Sequence, residues 1–247
     1  MVLVVPCYNE ELRLRRSAFV DYATTRPWVT FLFVDDGSTD ATSAVLAEIQ
    51  SLLPSQSVVL RLDVNKGKAE AVRRGILGAL EGRPDLVGYW DADLSTPLEA
   101  LDDFGALLAK RPDVEVVLGS RVMLLGRDIR RNPLRHYLGR VFATAASVVL
   151  DLPVYDTQCG AKLFRQTDAV SRVFAEPFSS SWIFDVEVLA RYMSLETPPG
   201  ELPRRSRVYE LALPAWHDVP GSKLRPWDFI KAMSELLSIW RRQRPRN

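Results

Sequence analysis

The chain has 247 residues, of which 47% are apolar, so it can bury a sizeable core as one large α/β domain or two small ones. Its 32 basic and 31 acidic side chains leave a net charge of +1, which argues against a protein built mainly to hold nucleic acid. Cys7 and Cys159 have no metal-ligand spacing, so we expect free thiols in a reducing, cytoplasmic compartment.

Strand-like and helical patterns alternate along the first half of the chain. Apolar, β-branched runs cover residues 2–5, 31–34, 57–62, 87–90 and 114–118. A helical pattern follows each of the first four runs. The second, third and fourth of these patterns end near residues 49, 80 and 109. This alternation predicts an α/β fold with a doubly wound, mostly parallel sheet and helices on both faces.

Two acids follow the fourth strand, where Asp91 and Asp93 flank Ala92 and a helix-start signature begins at Ser95. Ligands of open α/β sheets bind at the carboxyl ends of strands, and two carboxylates so close repel each other unless a cation lies between them. Mg²⁺ or Mn²⁺ fits oxygen ligands of this kind and also binds substrate phosphates. The alternative is a solvated turn with an aspartate helix cap, since the pattern is short and common.

Polar loops also follow the other strands, at residues 8–10, 35–36 and 66–68, and all should open on one edge of the sheet. A nucleotide suits this edge, yet the chain has neither the glycine fingerprint of dinucleotide-binding proteins nor a P-loop. These absences argue against a dinucleotide oxidoreductase and a P-loop NTPase. Taken alone, the acidic turn at Asp35 and Asp36 is more often a turn than a base contact.

The spacing of these motifs resembles that of inverting family 2 glycosyltransferases. The motifs of the N-terminal half are PCYNEE at 6–11, VDDGSTD at 34–40, NKGK at 65–68, DAD at 91–93 and GSR at 119–121. In the C-terminal half, DTQCGAKLFR at 156–165, WIFDVE at 182–187 and GSKL at 221–224 are similar to dolichyl-phosphate glucosyltransferases and their prokaryotic polyprenyl-phosphate relatives. Together the motifs span nearly the whole chain.

The resemblance implies a GT-A fold, a nucleotide-sugar donor with UDP-glucose expected, a Mg²⁺ or Mn²⁺ ion, and a polyprenyl or dolichyl monophosphate acceptor. It assigns the diphosphate and metal to Asp91, Ala92 and Asp93, and the acceptor phosphate to Arg121 and Arg135. The remaining nucleotide-sugar-binding residues that it implies are Pro6, Tyr8, Glu10, Val34, Asp36, Lys68 and Lys223. One departure is Ser95, which stands where mannosyl-transferring relatives have a glutamine.

A basic cluster opens the second half of the chain. Between residues 121 and 140 a single acid, Asp128, accompanies six arginines, at 121, 127, 130, 131, 135 and 140. Arginine binds phosphate in a bidentate way, so the cluster suits a phosphate or an anionic membrane surface, and its alternative is a solvated face.

Two apolar segments complete this picture, a helix over 136–150 and an amphipathic, basic stretch over 226–247. The apolar stripe of the latter is also typical of core packing, but its arginine-rich end favours a lipid interface. Because no apolar run reaches about 18 residues, we expect a peripheral protein on the cytoplasmic face of a membrane. The predicted organisation is a catalytic domain over 1–225 and a C-terminal helix and tail over 226–247.

Three functions remain open at this point. The first is inverting transfer of a hexose to a lipid phosphate, which needs no general base because a phosphate monoester is already largely dianionic at neutral pH. The second is transfer to a sugar or glycolipid hydroxyl with Asp185 as base, since Asp156 and Glu187 suit caps or ion pairs as well. The third is a nucleotide-sugar-binding module without turnover.

Overall fold

The computed structural model describes the backbone of residues 1–130, 133–219 and 226–243, and the side chains of 1–130, 137–219 and 231–242. Its strands are β1 Val2–Cys7, β2 Thr30–Asp35, β3 Ser57–Arg61, β4 Leu86–Trp90, β5 Val116–Ser120, β6 Asp128–Arg130, β7 Ala161–Arg165, β8 Val208–Ala212 and β9 Ala215–His217. Its α-helices are α1 Arg16–Thr24, α2 Thr42–Leu52, α3 Lys68–Glu81, α4 Ala100–Lys110, α5 Pro133–Leu150, α6 Asp168–Ala175, α7 Phe184–Ser194 and α8 Pro226–Gln243.

Seven strands form one mixed sheet in the order β3-β2-β1-β4-β7-β5-β8. Strands β1 to β4 pair in parallel, as the alternation of strands and helices predicts, and β8 is parallel to β5. Strand β7 runs antiparallel between β4 and β5, with Lys162 opposite both Tyr89 and Leu118. The prediction of a mostly parallel sheet is therefore confirmed, and the antiparallel strand is a feature that the sequence pattern did not indicate.

The two faces of the sheet each carry a hydrophobic core. Alternation along β1 sends Val4 to one core and Leu3 and Val5 to the other. The core that contains Val4 is covered by α3, α5, α6, α7 and α8, and the opposite core by α1, α2 and α4. Helices thus lie on both faces, which confirms that prediction.

Helix α8 packs against α5 and α7 rather than standing apart from them. Its Ala232, Leu236 and Ile239 are buried in the core that contains Val4, while Met233 and Leu237 stay partly exposed. The boundary at residue 225 stays a prediction. Within the described residues, no helix has both the length and the apolar character needed to cross a membrane.

A two-stranded parallel sheet of β6 and β9 lies beside the main sheet. The backbone N–H of His217 donates to the carbonyl of Ser95 at 3.0 Å, and the N–H of Leu213 donates to the carbonyl of Ser120 at 2.9 Å. The first bond attaches the small sheet to the loop that follows β4, and the second extends the pairing of β8 with the end of β5.

Candidate active site

The carboxyl ends of β1, β2 and β4 meet at one edge of the sheet, on either side of the point where the strand order reverses. Strand β1 pairs with β2 on one side and with β4 on the other, so the loops after β1 and β4 border a crevice. The predicted nucleotide loops and the acid pair are therefore brought together.

The loop after β1 is fixed by polar contacts with the loop after β2. Asn9, which has a positive φ of 53°, accepts the backbone N–H of Thr39 at 2.9 Å, and its own N–H donates to Ser38 at 3.1 Å. The N–H of Glu10 donates to the hydroxyl of Thr42 at 2.7 Å. Tyr8 projects from this fixed loop and is 41% exposed, so its ring is accessible to a ligand.

Asp36 organises the loop after β3. Its carboxylate accepts the backbone N–H groups of Lys66 and Gly67 at 2.7 and 2.8 Å. Burial raises the pKa of Asp36, and these two N–H groups partly offset the shift. Of the other predicted nucleoside contacts, Pro6 is half-buried and Val34 is fully buried.

The acid loop after β4 has a constrained backbone. Leu94 adopts a positive φ of 51°, which is costly for a branched side chain and is typical of functional sites. The N–H of Leu94 donates to the carbonyl of Asp91 at 3.2 Å, which closes a turn around the buried Ala92. Ser95 donates its N–H and its hydroxyl to Asp93 Oδ1 at 2.9 and 2.8 Å, so it orients this carboxylate.

The acids of this loop share their surroundings with Lys68 and Glu10. Lys68, at the start of α3, forms an ion pair with Asp91. Burial raises the pKa of Asp91, Lys68 opposes the shift, and the negative charge of Asp93 adds to it. Burial also raises the pKa of Glu10, an effect that Arg13 opposes and Asp93 and Asp91 reinforce. The crevice thus concentrates negative charge around one lysine.

Gly160 forms the wall behind Asp91. Its carbonyl accepts the backbone N–H of Asp91 at 3.0 Å. A Cβ atom added to Gly160 would lie only 2.0 Å from Asp91 Oδ2, so no other residue fits at this position without moving the carboxylate.

The residues present fit a small divalent cation. Asp91 and Asp93 supply hard oxygen ligands, and among the described residues Asp93 Oδ2 has no hydrogen-bond donor. Within the same part of the chain, no group of three His, Cys, Asp or Glu side chains could hold a metal alone. Mg²⁺ usually binds one or two protein carboxylates and completes its coordination with water and phosphate oxygens.

Arg121 directly follows β5, and its side chain is held by Asp156. Its Nε and Nη2 donate to the two carboxylate oxygens at 2.6 and 2.7 Å, so Asp156 is an ion-pair partner, one of the two roles that the sequence suggested. Burial lowers the pKa of Arg121, but the charge of Asp156, its hydrogen bonds and smaller effects of Cys159 and Asp91 together outweigh burial, so the pKa is raised. Glu210 in turn accepts the N–H groups of Tyr155 and Asp156 at 2.8 and 2.6 Å.

The rest of the basic cluster is divided. Arg140 points inward, where its Nη1 donates to the carbonyl of Tyr155 at 2.7 Å and its guanidinium stacks on that ring. Arg127 and Arg130 are exposed. The side chains of Arg135 and Lys223 lie outside the described residues, so their phosphate-binding roles stay predictions.

Asp185 is not poised as a solvent-facing base. It is only 4% exposed, it accepts the hydroxyl of Tyr89 at 2.5 Å, and it forms an ion pair with the fully buried Lys162. Glu187, the third acid of this region, forms an ion pair with Arg191 at 2.8 Å, which is one of the two roles predicted for it. Sequence reasoning missed Tyr89, Gly160 and Lys162; the one available signal was a lysine within the apolar run of β7.

A crevice at the reversal of strand order, with an acid pair on one rim, is the site expected from the resemblance to glycosyltransferases of the GT-A fold. The model of Glycosyl transferase family 2 matches residues 2–170, and the chain belongs to this family. The protein is therefore a glycosyltransferase.

Curated relatives match almost the full length of the chain. A dolichyl-phosphate beta-glucosyltransferase of Drosophila melanogaster is 33% identical over 96% of this chain and 73% of its own. The enzymes of the same description from Mus musculus and Dictyostelium discoideum are 32% and 30% identical, over 96% and 97% of this chain and 74% and 76% of theirs.

Among solved structures, glucosyl-3-phosphoglycerate synthase from Mycobacterium tuberculosis, in complex with Mn²⁺, UDP-glucose and phosphoglyceric acid, superimposes with a TM-score of 0.67. The match covers 97% of this chain and 79% of the other at 18% identity, and it confirms the GT-A fold.

Proposed function

We propose that the protein is a metal-dependent, inverting glucosyltransferase that transfers glucose from UDP-glucose to a polyprenyl monophosphate. The observation that carries this proposal is the rigid acid loop, which presents Asp91 and Asp93 beside Lys68 at the crevice. The curated relatives are named as dolichyl-phosphate beta-glucosyltransferases, and a solved structure of the same fold was obtained with Mn²⁺ and UDP-glucose.

On the donor side, the exposed Tyr8 and the loop fixed by Asp36 would hold the nucleoside. Asp91 and Asp93 would hold the cation, which, when bound, neutralises the charge that develops on the departing diphosphate. Lys68 would contact the same phosphates from the start of α3, and Lys223 is proposed to reach them from the late loop.

On the acceptor side, Arg121 and Arg135 are proposed to orient the lipid phosphate. Asp156 fixes the Nε and Nη2 edge of Arg121, and within the described part of the chain Nη1 has no acceptor and can serve a phosphate oxygen. The phosphate would attack the anomeric carbon from the face opposite the diphosphate, which inverts the configuration to β. Positioning and charge carry the reaction, so no side chain has to remove a proton.

The burial of Asp185 favours this acceptor over a sugar hydroxyl. A general base must come within hydrogen-bond reach of the hydroxyl that it deprotonates. Asp185 is buried, and both Tyr89 and Lys162 already donate to its Oδ1. A hydroxyl acceptor would therefore lack the base that the alternative function assigned to it.

Exposed apolar side chains beside the basic cluster support attachment to a membrane surface. Met123, Leu124 and Leu125 follow β5 and are 60%, 50% and 104% exposed. Arg127 and Arg130 lie just beyond them. Apolar groups flanked by arginines suit the boundary between headgroups and acyl chains, so we propose peripheral binding to the cytoplasmic face of an anionic membrane.

The test is a panel of radiolabelled UDP-glucose, GDP-mannose and UDP-N-acetylglucosamine against a short polyprenyl phosphate, with and without EDTA. We expect a lipid-linked product from UDP-glucose, loss of turnover in EDTA, and recovery with Mg²⁺ or Mn²⁺. Asp93→Ala should remove most turnover, whereas Asp103→Ala, which changes an exposed acid on α4, should not. Full turnover in chelator, or product from another donor alone, would refute the proposal.

A further inference from the structure

Lys162 is a charged residue placed in the interior of the main sheet. It lies on β7 between β4 and β5, and its side chain is fully buried. An isolated ammonium group at such a depth is strongly disfavoured, so its partners must be well placed. Its Nζ pairs with Asp185 Oδ1 and donates to the carbonyl of Cys159 at 2.6 Å.

The carboxylate partner is fixed by two further elements. The hydroxyl of Tyr89, on β4, donates to the same Oδ1 of Asp185 at 2.5 Å. Asp185 also lies in the first turn of α7, where the positive end of the helix dipole favours a negative charge. The buried network therefore joins β4, β7 and α7 directly beneath the acid loop.

This network leads to the carboxylate of Asp91 by a short path. Lys162 holds the carbonyl of Cys159, and the next residue, Gly160, forms the wall behind Asp91 and accepts its N–H at 3.0 Å. A shift of the 159–160 turn would therefore move both the backbone and the carboxylate of Asp91.

We propose that Lys162 and Asp185 are a positioning pair that holds the 159–160 turn against Asp91 and so sets the Asp91 carboxylate for the diphosphate and its cation. This inference rests on the proposed function. Fold stability alone does not require such a pair, because apolar residues of similar volume are often equally stable or better in place of a buried ion pair. Residues that orient metal ligands typically change metal affinity or activity about 10- to 100-fold when mutated.

The chain contains a matched control. At the opposite end of β5, Tyr192 donates its hydroxyl to the buried Glu115 at 2.7 Å, and Arg204 and Arg207 pair with the same carboxylate. Tyr192→Phe and Tyr89→Phe thus each delete one hydroxyl that donates to a buried, ion-paired carboxylate. Of the two carboxylates, Asp185 alone belongs to the network beneath Asp91.

The experiment measures Mn²⁺ affinity in the presence of UDP from the electron paramagnetic resonance signal of free Mn²⁺, beside kcat and the melting temperature. We expect Asp185→Asn to weaken Mn²⁺ binding about 10- to 100-fold. Tyr89→Phe should weaken it about fivefold, the effect of one hydrogen bond. Tyr192→Phe should lower the melting temperature by an amount similar to Tyr89→Phe but leave Mn²⁺ affinity unchanged.

A double variant, Lys162→Met with Asp185→Asn, removes both buried charges and separates positioning from stability. We expect it to fold and still bind Mn²⁺ and UDP weakly. Wild-type Mn²⁺ affinity in that variant, or in Tyr89→Phe and Asp185→Asn, would overturn the inference and leave the proposed function intact. A wild-type protein that fails to bind Mn²⁺ with UDP would instead overturn the proposed function, and the inference with it.

Discussion

Gly160→Ala tests the geometry of the acid loop with a single methyl group. The added Cβ would lie 2.0 Å from Asp91 Oδ2 and 2.1 Å from its Cγ, whereas Cβ atoms essentially never approach other atoms within 3.0 Å. The carboxylate must therefore move by about 1 Å, and a misplacement of this size costs about a hundredfold in rate when the group positions a reacting centre. Overpacking should also lower the free energy of unfolding by about 1 to 3 kcal/mol.

The assay is steady-state release of UDP with polyprenyl phosphate as acceptor, beside thermal unfolding of the same samples. The control is Gly105→Ala on α4, where the nearest atom to the new Cβ is Met1 Cε at 3.6 Å. That change should keep full activity and add about 0.5 to 1 kcal/mol of stability, because alanine favours a helix. Wild-type kcat/KM in folded Gly160→Ala would show that the Asp91 carboxylate is not needed where it lies.

Two further predictions concern pH and the membrane. Because burial raises the pKa of Asp91, the contribution of this carboxyl to stability is present at low pH and is lost as the pH rises through the raised pKa. Chemical denaturation across pH should therefore show a smaller loss of stability in Asp91→Asn than in the wild type. An equal loss of stability in both proteins would contradict a raised pKa for Asp91. Binding to anionic vesicles should weaken with salt and in Leu125→Ser, which removes a fully exposed apolar side chain. Equal sedimentation with neutral and anionic vesicles would contradict the proposed binding to an anionic membrane.

Local patterns in the sequence were sufficient for the parallel half of the sheet. Strands β1 to β4 are apolar runs that end in polar loops, and each loop leads into a helix, so the edge that carries Asp91 and Asp93 could be predicted. Strand β7 could not, because Ala161–Arg165 contains two charged residues and is placed by pairing with β4 and β5, which are distant in sequence. Pairing over such distances has no local signal.

The same limit separates the parts of the site that were predicted from those that were not. The motif and the charge of Arg121 predict a role in the site, but its orientation depends on Asp156, 35 residues later. The sequence places Lys162 in a motif but assigns it no role, since a lysine side chain is normally solvated. Its burial follows only once β7 is inserted between two other strands.

The charge balance of the crevice links the cation to the donor. Each lysine near the acid loop already has a carboxylate, Lys68 that of Asp91 and Lys162 that of Asp185. A diphosphate entering this crevice would add negative charge beside Asp93 while both of these lysines are already paired. A cation held by Asp91 and Asp93 would relieve that repulsion and release Lys68 toward the phosphates. Under the proposed function, cation and nucleotide-sugar should therefore each strengthen the binding of the other.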